Sequence, residues 1–136
     1  MDLRWQTGLA EGKEAVAKAP ASGAPWLRLG FLAVEFKRYE DAKAYFLKAR
    51  ADAATAAAAN NNLGNLAFLK GDTESALSDY SQALEKDSAD AQISLNIARV
   101  YLKQGHPQKA STAYDKAMSL DPTLREQYPD VSTLTP

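Results

Sequence analysis

Apolar and small residues fall along this chain at helical spacings, broken by short polar stretches. Trp26, Leu29, Gly30 and Ala33 follow the i, i+3, i+4, i+7 spacing of one helix face, and Asn60, Leu63, Gly64 and Ala67 repeat it. Ala76, Tyr80, Ala83 and Leu84 form a second stripe of the same kind. Between stripes lie Lys70 to Asp72 and Gln104 to Pro107, where glycine supplies a helix C-terminal turn and Asp72 or Pro107 opens the next helix. The pattern predicts an all-α chain built from helix, tight turn and second helix.

These units recur in strict register. Leu29-Gly30 returns as Leu63-Gly64 and then as Ile97-Ala98, a step of 34 residues each time. The same step links Ala42, Ala76 and Ala110; Phe46, Tyr80 and Tyr114; and Ala49, Ala83 and Ala117. Small residues at Gly30, Gly64 and Ala98 let the two helices of a unit approach closely, with the aromatic column filling the space beside them.

Taken as units 23–56, 57–90 and 91–124, the chain resembles the tetratricopeptide repeat family, whose signature is Trp, Leu-Gly, Tyr, Ala, Phe/Tyr, Ala and Pro on a 34-residue period. Trp26, Leu29, Gly30, Tyr39, Ala42, Phe46 and Ala49 carry the match in the first unit. Leu63, Gly64, Gly71, Ala76, Tyr80, Ala83 and Leu84 carry it in the second, and Tyr101, Gly105, Ala110, Tyr114, Ala117 and Pro122 in the third. The resemblance implies a right-handed superhelix of helix-turn-helix repeats, an α-solenoid of about seven helices, acting as a binding scaffold rather than an enzyme. Departures are local. Ala54 and Ser88 stand where the closing proline belongs, and residues 51–60 contain no glycine or proline, so Thr55 or Asp52 is the expected cap of the helix that follows.

Both ends read as irregular. Residues 1–22 are expected to form a capping helix, the remnant of a half-repeat, with a linker into Trp26; Gly8 and Gly12 stand where alanine and an aromatic belong. Residues 125–136 read as a tail with two prolines, leaving the last repeat without its usual polar cap. That end is expected either to mark a piece of a longer protein or to meet a second molecule or its own tail.

Asn60, Asn61, Asn62 and Asn65 lie in a helix otherwise rich in alanine, and each costs about 0.6 kcal/mol of helix propensity relative to alanine. Asn60 shares the packing column of Trp26. The other three belong to a second stripe of the first helices, with Arg28 and Phe31 before them and Asn96 and Arg99 after. In the resembled family that stripe lines a concave groove holding an extended peptide. Candidate peptide-binding residues are therefore Arg28, Phe31, Asn61, Asn62, Asn65, Asn96 and Arg99. The amides would clamp a peptide backbone as donor and acceptor, the arginines would anchor an acidic side chain or a C-terminal carboxylate, and Phe31 and Leu95 would give apolar contact. A solvated helix face on which asparagine is merely tolerated accounts for the same residues. Family members that hold heat-shock chaperone C-termini use a lysine and an asparagine, then an asparagine, then two basic residues; here only Asn62 matches, with Leu27, Phe31, Gln92 and Asn96 elsewhere.

Composition narrows the function further. Sixteen basic and seventeen acidic residues, interspersed, give a net charge of −1, which provides no basic patch for nucleic acid or anionic lipid. No apolar run approaches a membrane span, and the N-terminus lacks a signal-peptide core, so a cytoplasmic location is expected unless a larger exported or anchored protein carries this chain. Cysteine is absent, and no phosphate loop, histidine pair or nucleophile motif occurs. His106 reads as a solvated turn residue, Glu40 and Asp41 as helix-start charges, and Glu85 to Asp90 as a helix end with Ser88 as N-cap rather than a calcium loop. No catalytic residue, metal or cofactor is expected. The expected function is interaction with a protein or peptide; the alternatives are a three-repeat secretion or assembly chaperone, dimerising through the uncapped end, and a regulatory arm of a larger protein.

Overall fold

A computed structural model describes residues 2–134. Among them seven α-helices follow one another: α1 (Leu3–Lys18), α2 (Ala24–Glu35), α3 (Tyr39–Arg50), α4 (Ala56–Leu69), α5 (Thr73–Lys86), α6 (Ala91–Lys103) and α7 (Pro107–Leu120). Two 3-10 turns, Pro122–Arg125 and Val131–Leu134, complete the order. Each helix packs on its neighbours in sequence, the arrangement of an α-solenoid.

The glycine and aromatic columns meet as their sizes require. A Cβ at Gly30 would stand 2.3 Å from the Phe46 ring, and one at Gly64 would stand 2.6 Å from Tyr80. Helix α2 thereby settles onto α3, and α4 onto α5, close enough to bury Phe46 completely and Tyr80 almost so. The irregular glycines of α1 do the same work at the N-terminal end: Cβ atoms at Gly8 and Gly12 would strike Leu32 and Leu29. Trp5 is buried beside Phe36, and the Arg38 guanidinium lies 4.5 Å from the Trp5 ring centre. Asp2 caps α1 by accepting from the Arg4 N–H.

The first helix of each pair ends in the same turn. Arg38, Asp72 and His106 donate their backbone N–H to Ala33, Ala67 and Tyr101, six-to-one bonds that require a left-handed residue just before the donor. Gly71 (φ 84°) and Gly105 (φ 78°) fill that position in two pairs, and Lys37 (φ 57°) fills it in the first. Lys37→Gly is therefore expected to raise stability by about 0.5–1 kcal/mol, read as a higher melting temperature; an unchanged or lower value would refute the strain.

The glycine-free break at residues 51–55 corrects the expected capping. Neither Asp52 nor Thr55 caps α4 with its side chain. The Asp52 carboxylate instead accepts the N–H groups of Gly23 (2.8 Å) and Ala54 (3.1 Å), tying the turn after α3 to the entrance of α2. Thr55 donates its hydroxyl to the Ala49 carbonyl at 2.7 Å. Farther on, Asp90 rather than Ser88 caps α6, accepting from the Gln92 N–H at 2.9 Å. Asp72 caps α5 through the Ser75 N–H, and Pro107 opens α7.

Of the alternatives for the end of the last repeat, the structure shows the one in which it meets its own tail. After α7 the chain folds back and buries Leu134 against Ala91, Leu95, Ala98, Ala117 and Met118, with Leu124, Tyr128 and Val131 packed around them. The Tyr114 hydroxyl donates to the Tyr128 carbonyl. The tail covers the apolar face of α6 and α7 that a further helix would otherwise cover.

Candidate functional site

The candidate residues occupy α2, α4 and α6, the first helices of the three pairs. Their i, i+3, i+4 spacing aligns the asparagines along α4, and a hydrogen-bond chain then fixes them across helices. Asn96 donates its amide N–H to Asn61 Oδ1 at 2.9 Å, linking α6 to α4. The Asn96 carbonyl accepts from Arg99 Nη1 at 2.8 Å and from Gln92 Nε2 at 3.2 Å. Arg99 continues to the Tyr128 hydroxyl at 3.1 Å, with its guanidinium 5.4 Å from the centre of that ring.

A second chain runs along α4. The Tyr80 hydroxyl, brought up from α5, donates to Asn65 Oδ1 at 2.5 Å, and Asn65 donates weakly to Asn62 Oδ1 at 3.4 Å. Asn62 bonds back to the Ala58 carbonyl at 2.8 Å. The buried tyrosine thus has its required polar partner, and much of the propensity lost to asparagine is offset inside the fold. Asn60 is buried in the packing column, as its register implies, and its Oδ1 has no hydrogen-bond partner.

The face is consequently less open than the sequence implies. Asn96 is buried with both its amide nitrogen and its amide oxygen hydrogen-bonded, and Arg99 is half-buried between Asn96 and the tail. Leu95, expected to give apolar contact, is completely buried against the tail instead. Arg28 and Phe31 remain on the surface. Phe31 is 47% exposed and rests edge-on against Phe46 at 5.7 Å, while the Arg28 side chain makes no ion pair or hydrogen bond among the described residues. Asn65 is exposed beside them in register, and Asn61 and Asn62 are half-buried.

Tyr128 is the residue that sequence reasoning missed, because it lies outside every repeat column and reaches Arg99 only through the fold. His106 is exposed at the N-cap of α7, edge-on to Tyr101, and Glu40 and Asp41 sit in the first turn of α3. No group of three or more metal-ligating side chains occurs among the described residues, and none of their helices is long and apolar enough to cross a membrane.

Burial pushes the Tyr80 phenol up from 10 to about 12; the nearby Asp79 charge adds to the rise and Arg99 opposes it. Below pH 10 the phenol is protonated in both states and the shift has no effect. As pH rises from 10 to 12 the unfolded chain loses the proton more readily than the folded one, so about 2 kcal/mol of stability is expected to be lost. Denaturant unfolding across that range should show the loss, and Tyr80→Phe should flatten it; an equal slope in the variant would refute the assignment.

Two family models, both described as tetratricopeptide repeat, match residues 27–91 and 67–132. A curated relative, Hsp70-Hsp90 organizing protein 1 of Glycine max, is 38% identical over 65 residues, which is 48% of this chain and 11% of that protein. The chain thus spans about a tenth of that relative's length. Among solved structures, one titled crystal structure of MamA superposes with a TM-score of 0.76 at 23% identity, covering 90% of this chain and 72% of that one. Another, titled crystal structure of YrrB, a TPR protein with an unusual peptide-binding site, gives 0.70 at 22% identity over 87% and 62%. At these identities the structures share the fold.

Proposed function

The chain belongs to the tetratricopeptide repeat family, and on that premise we propose that it is a non-enzymatic interaction scaffold holding an extended segment of a partner protein against the first-helix face. The observation that carries the reading is the pairing of an exposed ring and an unpaired cation, Phe31 and Arg28, with amides already held in place. A fixed donor and acceptor row loses little entropy when a peptide backbone docks on it. Arg28 supplies the anchor for an acidic side chain or C-terminal carboxylate, and Phe31 the apolar contact.

The relative from Glycine max does not by itself extend its named partners to this chain. Leu27 and Phe31, then Gln92 and Asn96, replace the basic and amide residues expected of a chaperone-tail clamp, and Asn96 is committed to internal bonds. The partner favoured here is a segment that needs one cation and one apolar contact.

The test uses variants that leave the internal network intact. Wild-type protein and Arg28→Glu/Phe31→Ala, matched for helicity, are used to capture partners from source-cell lysate, with mass spectrometry as the readout. A partner retained by wild type and lost by the variant supports the face; equal capture by both would overturn it.

A further inference from the structure

The first inter-repeat interface is open where the second is closed. Between α3 and α5, floored by α4, lies a cleft of about 720 Å³, within the range of ligand-binding pockets. The corresponding space between α5 and α7 is packed with Leu77, Leu84, Tyr101 and Ala113 around Ile97 and Val100. One repeat earlier, the same register positions hold Lys43, Arg50, Ala67 and Asp79 around Leu63 and Leu66. Three bulky apolar contacts are thus replaced by two cations and a methyl group, and a carboxylate stands where alanine packs.

The cleft has apolar walls and unpaired charge. Leu47 and Leu69, 40% and 63% exposed, stand at its rim with Leu63 and Leu66 below. Of its acidic groups, Glu40 pairs with Lys70 at 3.7 Å and Asp72 is engaged as the cap of α5. Lys43 and Arg50 make no side-chain ion pair or hydrogen bond among the described residues; half-buried Asp79 acts on both electrostatically, and Asp72 on Lys43 alone. A packed solenoid interface has no use for leucines left exposed beside unpaired cations, and that combination complements an acidic, apolar segment.

We propose that this cleft is a second docking site, for a partner segment whose bulky apolar side chain enters between Leu47, Leu63 and Leu69 while a neighbouring carboxylate meets Lys43 and Arg50. Helix α3 lines it through Tyr39, Lys43, Leu47 and Arg50, one face over nearly the whole helix, so the groove extends about 16 Å, room for about five extended residues. The site stands independently of Arg28 and Phe31.

The probe is a short fluorescein-labelled peptide with phenylalanine and leucine flanked by aspartates, with a control in which lysines replace the aspartates; binding is read by anisotropy. The acidic probe should bind wild type at least about tenfold more tightly than the basic one. Ala67→Tyr, which imports the residue of the next repeat, should weaken it by about tenfold or more with the melting temperature maintained or raised. Lys43→Leu/Arg50→Leu, confined to exposed positions, should abolish the preference for acid, while Arg28→Glu/Phe31→Ala should leave it unchanged. Equal binding of the two probes to wild type would overturn the proposal. So would acidic-probe binding undiminished by Ala67→Tyr, or a preference for acid that survives Lys43→Leu/Arg50→Leu, which keeps the test available if Ala67→Tyr fails to fold.

Discussion

Phe46→Ala is expected to lower stability by about 3–5 kcal/mol, enough to consume a large share of what holds a chain of this size together. The ring is completely buried, lies against the Gly30 backbone and supports Phe31 from below, so its removal leaves a cavity that two helices cannot close without moving. Gly30→Ala alone also destabilises, because the new methyl group would lie 2.3 Å from a ring with nowhere to go; about 1–3 kcal/mol of overpacking outweighs the roughly 1 kcal/mol alanine gains in helix propensity. In the Phe46→Ala background the same methyl group enters vacated space, and Gly30→Ala should become neutral or favourable. Guanidinium unfolding of the four proteins would then give a coupling of about 1–3 kcal/mol. Additive costs would show that the small and large columns do not pack against each other as the structure places them.

That coupling explains why the fold is readable from residues alone. Each pair of helices must solve one packing problem, a small residue facing an aromatic ring, and the solution recurs at Gly30 with Phe46 and at Gly64 with Tyr80, so the period marks contacts as well as helices. The column of Lys37, Gly71 and Gly105 carried a further legible signal, since glycine at two members implies a left-handed residue at the third. The cleft was equally present in the column differences between Lys43 and Leu77 or Ala67 and Tyr101, but it emerges only when the two interfaces are compared in three dimensions.

The candidate face was legible in position and less so in state. An amide that clamps a peptide and one that bridges two helices have the same donor and acceptor groups, so nothing in the asparagine run distinguishes Asn65 offered to a ligand from Asn65 receiving the Tyr80 hydroxyl. Asn61 and Asn96 are 35 positions apart, and only the fold joins them. The tail was the least legible, because Tyr128 and Leu134 have no repeat column and their partners lie on α6 and α7.

Leu134→Asp is therefore the substitution expected to change the C-terminal repeat most. An aspartate in the place of a leucine that is 2% exposed cannot stay ionised among Leu95, Met118 and Ala117, so the tail should undock rather than carry the charge inward. The loss is bounded by what docking contributes, about 2–4 kcal/mol for a buried leucine and the contacts around it. Undocking uncovers Leu95 and releases Arg99 from Tyr128, so hydrogen exchange should accelerate in α6 and α7 while α2 to α4 keep their protection. Tyr128→Phe, which removes only the hydroxyl, should cost about 1 kcal/mol and leave exchange in α7 unchanged, separating the Arg99 bond from the apolar seal. If Leu134→Asp left exchange in α6 and α7 at wild-type rates, the last repeat would be stable without its tail, and Arg99 would keep only its bond to Asn96.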